Sequence, residues 1–141
     1  MEETVTRSVE ETEQFAERFA SRLRPGDLIA FRGGMGAGKT AFVRGLARGL
    51  GVKGEVSSPT FALVHEYNGS IPLFHFDMYR IESFEDLYST GFFDYPDRGG
   101  IIAVEWSENI EAVLECSAIV IDISILDEST RKITITGGDR F

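Results

Sequence analysis

Residues 31–45, FRGGMGAGKTAFVRG, set glycines at 33, 34, 36 and 38 between a short apolar run and a helix-forming segment. Gly33, four further residues and then Gly38-Lys39-Thr40 complete a G-x-x-x-x-G-K-[ST] pattern. Glycine reaches backbone angles that other residues avoid, so consecutive N–H groups can turn inward around an anion. A helix starting near Lys39 adds unpaired N–H groups and the positive end of its dipole. Lys39 contributes a mobile charge for β- and γ-phosphates, and the Thr40 hydroxyl is a hard oxygen donor for Mg²⁺. The pattern demands a strand before it and a helix after it. DLIAF (27–31) reads as the buried strand, and TAFVRGLARGLG (40–51) as the helix, closed by Gly51. A chain built around this loop is expected to bind a nucleoside triphosphate.

The rest of the chain fits an α/β fold around that unit. Residues 8–23, SVEETEQFAERFASRL, have Ser8 and Glu11 at capping-box spacing and Phe15, Phe19, Ala20 and Leu23 on one face, and Pro25-Gly26 ends the helix. FALVHEY and IPLFHFD flank Asn68-Gly69-Ser70, a hairpin signal. Ser83 can cap a short helix, SFEDLYST, that ends at Gly91. IIAVEW (101–106) is a short buried strand, and SAIVIDISIL and RKITITG, separated by DEST, form a final strand pair. Strand–helix units mixed with hairpins predict a three-layer fold of the P-loop NTPase type, with a mixed, mostly parallel central sheet and an antiparallel hairpin. With 141 residues, no repeat and no low-complexity linker, one domain over 1–141 is expected.

Composition narrows the function. The N-terminus lacks a basic, apolar leader, and no run approaches the ~20 apolar residues of a membrane span, so a cytoplasmic protein is expected. The single cysteine, Cys116, cannot form an internal disulfide and reads as an inert thiol beside a strand. A net charge of −9 argues against a surface that grips nucleic acid throughout. The charge is uneven: residues 22–53 hold Arg22, Arg24, Arg32, Lys39, Arg44, Arg48 and Lys53 against Asp27 alone. That stretch is either a solvated face or a basic site for polyphosphate, an acidic partner or an RNA backbone.

A phosphate loop of this kind needs an acid at the end of a neighbouring strand to hold Mg²⁺ or its water. Two qualify: Glu105 after IIAV and Asp77 after LFHF. Trp106 follows Glu105, where many vigorous ATPases carry a second acid, which predicts slow hydrolysis by the isolated chain. The indole either fills core or stacks on a base or a partner. Between cradle and hairpin, Ser57, Ser58, Pro59 and Thr60 form either a plain Ser/Pro turn or a loop whose threonine reaches Mg²⁺ and the γ-phosphate when ATP is present. His65 and His75 lack metal-ligand company in the sequence and read as packed or surface histidines.

GGMGAGKT, SSPTFALVHEY, FHFDMYRI and AVEWSE, in this order and spacing, resemble the TsaE (formerly YjeE) family, over residues 8–110. The resemblance implies a small ATPase serving the threonylcarbamoyladenosine (t6A) modification of tRNA at adenosine 37. It implies ATP or ADP at Gly36, Ala37, Gly38, Lys39, Thr40 and Ala41, with Mg²⁺ on Thr40 and Glu105. It ties Lys39, Asp77, Glu105, Trp106 and Thr60 to ATP hydrolysis, with Ser58-Pro59-Thr60 as a switch-like loop and residues 8–12 near the adenine. It further implies a TsaB–TsaD complex as partner, with tRNA met indirectly through that complex, direct contact being left open, and no membrane. Gly34 departs from the family's usual acidic or amide residue.

A small-molecule kinase of the shikimate-kinase type is the alternative, since MGAGKT occurs there too. Such an enzyme needs an arginine-bearing lid, and residues 83–141 hold few bases: Arg98, Arg131, Lys132 and Arg140. A GTPase is disfavoured by the lack of an N-K-x-D element. A nucleotide-binding regulatory module without turnover is a third reading.

Overall fold

Runs of β-branched and aromatic residues alternate along this chain with two amphipathic helical stretches, and the computed structural model assembles them into one seven-stranded sheet. It describes residues 1–34, 36–53, 64–78, 81–105, 118–137 and 141. In chain order the elements are β1 (Glu2–Thr6), α1 (Val9–Ala20), β2 (Leu28–Arg32), α2 (Lys39–Gly49), β3 (Val64–Tyr67), β4 (Leu73–Asp77), α3 (Phe84–Ser89), a 3-10 helix (Phe92–Arg98), β5 (Ile101–Glu105), β6 (Ile119–Ile125) and β7 (Arg131–Thr136).

The strand order is β1-β7-β6-β2-β5-β4-β3. The four central strands, β6, β2, β5 and β4, run parallel to one another. Antiparallel pairs β6–β7, β7–β1 and β3–β4 complete the two sides. Parallel strands are covered on both faces, which is why IIAVE of β5 is buried at all five positions. The edge strands differ. β1 exposes Glu2 and Glu3, and β3 exposes Glu66, charges that discourage pairing with another chain. The mixed α/β sheet with its antiparallel hairpin is as expected from the sequence, whereas β1 is a strand that the sequence pattern does not announce.

Helices cover both faces and give the three layers. Ser8 Oγ accepts the Glu11 N–H at 3.1 Å and so starts α1 at the capping-box spacing. On the same face of the sheet as α1 and α2, Ala16, Phe19, Phe42, Val43 and Leu46 bury against Ile29, Phe31, Ile101, Ile121 and Ile133. The rings of Phe19 and Phe31 both meet Phe42 edge-on, at 6.0 and 5.6 Å between centroids. On the other face, Leu87 of α3 and Phe92 and Tyr95 of the 3-10 helix cover Phe74, Phe76, Ile102 and Val104. Gly45 and Gly49 let α1 and α2 meet closely: a Cβ at Gly45 would lie 2.2 Å from the Glu13 carbonyl oxygen, and one at Gly49 would lie 2.5 Å from that of Glu17.

Candidate functional site

Strand β2 ends at Arg32 and α2 begins at Lys39, so the glycine loop joins a buried central strand to a helix N-terminus. Gly33, Gly36 and Gly38 take φ of +138°, +77° and +110°, values that side chains disfavour. Gly33 is also confined, since a Cβ there would lie 2.5 Å from the Ile123 carbonyl oxygen. Gly36 and Gly38 face open space, so backbone angle alone requires glycine there. Gly38 is the N-cap of α2, which has no side-chain cap and no acidic residue in its first turn. The N–H groups and dipole of that turn are thus left for an anion. Lys39 is buried and folds back so that Nζ donates to the Gly33 carbonyl at 3.0 Å. Gly36, Ala37, Gly38, Lys39, Thr40 and Ala41 form the loop's end and the helix's first turn, with the small Ala37 and Ala41 buried.

The two strand-end acids stand level with each other at the end of the sheet that carries this loop. Parallel pairing sets Asp77 of β4 level with Glu105 of β5. β5 pairs in turn with β2, with Ala30 level with Val104, so both acids stand at the end of the sheet from which the glycine loop departs. Alternation decides their direction. Leu73, Ile101 and Ala103 belong to the core beneath α1 and α2, so His75, Asp77 and Glu105, at even spacing from them, face that side too. Glu105 is buried, and its Oε2 lies 2.6 Å from Nε2 of His75, itself wholly buried. Among the described residues the Nδ1 of His75 has no hydrogen-bond partner. Placing the proton on Nε2, donated to Glu105, leaves no buried N–H unmet.

His75 is the residue that sequence reasoning missed. The sequence shows a histidine without ligand company, whereas in the fold it orients one of the two acids. Its signal lies in Ala103, the residue level with it across β4–β5, small enough to leave room for an imidazole. Thr60 and Trp106, expected to act in hydrolysis, lie outside the described residues, as do Ser57, Ser58, Pro59 and Cys116. Among the described residues no three His, Cys, Asp or Glu side chains gather to hold a metal by themselves. The donors here, the Thr40 hydroxyl and the Glu105 carboxylate, are of the hard oxygen type that Mg²⁺ takes along with water and phosphate oxygens, so the set fits that ion.

Acids from outside the basic stretch 22–53 fold onto three of its bases. Arg22 pairs with Glu2 at 2.6 Å, Arg44 with Glu13 at 3.4 Å and Arg48 with Glu13 at 3.0 Å. The arginines of α2 therefore belong to a solvated face. At the start of α1, Ser8 caps the helix and the Thr12 hydroxyl is buried 2.7 Å from that of Thr6. Arg98, a base that a kinase lid would need, is held by Glu66 at 2.7 Å and lies over the rings of Phe74 and Tyr95. No helix among the described residues is long and apolar enough to cross a membrane.

A family model described as threonylcarbamoyl adenosine biosynthesis protein TsaE matches residues 6–133. The chain belongs to the TsaE family. The match takes in the glycine loop, both strand-end acids and the β6–β7 turn. Relatives named tRNA threonylcarbamoyladenosine biosynthesis protein TsaE include that of Bacillus subtilis, 42% identical, covering 94% of this chain and 84% of the relative. That of Aquifex aeolicus is 41% identical, covering 96% of each chain. That of Treponema pallidum is 35% identical, covering 93% of this chain and 97% of the relative. Among solved structures, the crystal structure of Bacillus subtilis YdiB superposes with a TM-score of 0.84 at 35% identity, covering 99% of this chain and 88% of that one. A Cβ at Gly34 would meet nothing within 4 Å.

Proposed function

We propose that this chain binds Mg-ATP in the glycine cradle and hydrolyses it slowly by itself, in support of t6A formation on tRNA, with a TsaB–TsaD complex as the partner that raises turnover. The observation that carries the reading is the register of Asp77 with Glu105 on the sheet face that α2 covers, beside a helix N-terminus left without a cap. A cradle that only held an anion would need no acids there.

In this reading the N–H groups from Gly36 to Ala41 bind phosphate oxygens, and Lys39 leaves the Gly33 carbonyl to meet the β- and γ-phosphates. Thr40 and Glu105 would hold Mg²⁺, which would supply positive charge against the phosphates. His75 keeps the Glu105 carboxylate in one orientation. Asp77, level with it, orients water. Thr60 and Trp106, which lie outside the described residues, keep the roles in hydrolysis that the sequence suggests, with Trp106 in place of a second acid keeping basal turnover low. The test is phosphate release from Mg-ATP by the pure chain, then with TsaB–TsaD added, with Lys39→Ala as blank. Slow turnover that rises with the partners is expected. Turnover indifferent to them would remove the t6A role and leave a kinase screen with small hydroxyl acceptors as the next step.

A further inference from the structure

The geometry points to Arg131 as a positioning residue of the nucleotide cradle, an inference that rests on the cradle being the ATP site proposed above. Arg131 opens β7, at the end of the β6–β7 turn and far from the glycine loop in sequence. Its Nε donates to the Ala37 carbonyl at 3.0 Å and its Nη2 to the Gly36 carbonyl at 3.3 Å. Its Nη1 donates to the carbonyls of Asp127 at 2.8 Å and Thr130 at 3.1 Å. The turn is itself pinned, since the Asp127 carboxylate accepts the N–H groups of Ser129 at 3.0 Å and Thr130 at 2.9 Å. One planar guanidinium thus buckles the phosphate loop to a rigid turn on the neighbouring strands.

Planarity of the peptide gives this contact its consequence. In a trans peptide the C=O and the following N–H point in opposite directions. Fixing the Ala37 carbonyl on Arg131 therefore fixes the direction of the Gly38 N–H, away from the guanidinium. Gly38 at φ +110° carries no side chain to hold that plane by itself. A cradle with its donors already aimed loses less freedom on binding, which is the advantage of a preorganised site. The Arg131 guanidinium acts on the Asp127 carboxylate of its own turn and also sets a positive charge against the loop's Gly36 and Ala37 carbonyls, beside the place of an anion. Lysine has one donor centre and cannot span both arms of the buckle.

The experiment is calorimetric titration of the full chain at 25 °C with ADP and, separately, with inorganic tripolyphosphate. The variants are Arg131→Ala, Arg131→Lys and, as a charge-matched control, Lys132→Ala, whose side chain pairs with Glu3 at 3.6 Å on the opposite side of β7. Arg131→Ala is expected to weaken both ligands about tenfold and by the same factor, because the buckle acts on the phosphate loop alone. Arg131→Lys recovers part of the loss, and Lys132→Ala stays within about twofold of the parent. Parent-like affinity in Arg131→Ala overturns the inference. So does a lowered melting temperature with unchanged affinity in the folded protein, or an equal loss in Lys132→Ala. If the parent chain bound neither ligand, the ATP-site reading itself would fall, and the inference with it.

Discussion

Nε2 of His75 and Oε2 of Glu105 stand 2.6 Å apart on neighbouring parallel strands, with the imidazole sealed from solvent. A buried carboxylate is held in place only if something donates to it, and removing that donor leaves it unmatched. His75→Ala is expected to lower Mg-dependent phosphate release about 10- to 100-fold, the usual effect of losing the group that orients a metal ligand. ADP binding without Mg²⁺ should change much less, because Glu105 then has no ion to hold. His75→Gln, whose amide nitrogen can occupy the place of Nε2, should restore part of the activity. Equal losses of ADP affinity and turnover would mean that His75 supports the fold rather than the acid.

The glycines of the loop make separable predictions. Gly38 has φ of +110° with open space where a methyl would stand, so alanine there meets only a backbone penalty, about 1–2 kcal/mol. If the loop relaxes to avoid it, ADP binding should weaken roughly tenfold. Gly34 lacks both the angle and the crowding, and Gly34→Ala should bind within about twofold of the parent. Titration of both variants with ADP checks this, and similar losses at the two positions would defeat it.

What can be read in advance follows from how local each signal is. The glycine loop is legible because every position has its own chemical duty, and α1 because Ser8 and Glu11 meet within a single turn. Strands β2, β4 and β5 are legible as apolar runs between turn residues. β1 is not: EETVT buries only Thr6 fully and exists through its pairing with β7, whose partner Ile135 is far along the chain from Glu2. The 3-10 helix at Phe92–Arg98 is hidden by its interior Pro96. The His75–Glu105 bond depends on the register between two parallel strands, which side-chain period alone leaves open. The excess of bases over 22–53 is partly offset for a related reason, since Glu2, Glu13 and Glu17 lie outside that stretch in sequence yet against it in space.

Acid should loosen the link between β3 and the 3-10 helix. Glu66 accepts from Arg98 at 2.7 Å and from the Tyr95 hydroxyl at 2.9 Å. The Arg98 hydrogen bond first, and the Tyr95 one next, hold its carboxyl below the usual range. A depressed carboxylate stabilises the fold above its unfolded pKa, and that contribution fades as pH falls through the folded value. Glu66→Gln should therefore melt slightly below the parent near neutrality, by about 1–3 °C for so exposed a pair, with the gap closing as the pH falls below the usual carboxylate range. Melting curves over that range decide it; a gap that stays constant to the acid end would show that the ionised form contributes nothing.

Helix packing sets the last prediction. Alanine is a better helix former than glycine by about 1 kcal/mol, so propensity alone says that Gly45→Ala should stabilise α2. The contact says the opposite: the new Cβ would lie 2.2 Å from the Glu13 carbonyl oxygen and 2.6 Å from the Ala16 Cβ, both on α1. Neither neighbour is the free end of a flexible side chain, so one helix must move. Overpacking of this kind costs about 1–3 kcal/mol and occasionally more, which exceeds the propensity gain. It would also stretch the pairs from Arg44 and Arg48 to Glu13. Gly45→Ala is thus expected to lower the melting temperature by several degrees, and Gly49→Ala, with 2.5 Å to the Ala20 Cβ, to act in the same direction. Because α2 carries Lys39 and Thr40 at its start, a displaced helix should also weaken ADP binding, though less than Gly38→Ala does. A higher melting temperature in either variant would mean that propensity, not the approach of α1, decides why glycine stands at these positions.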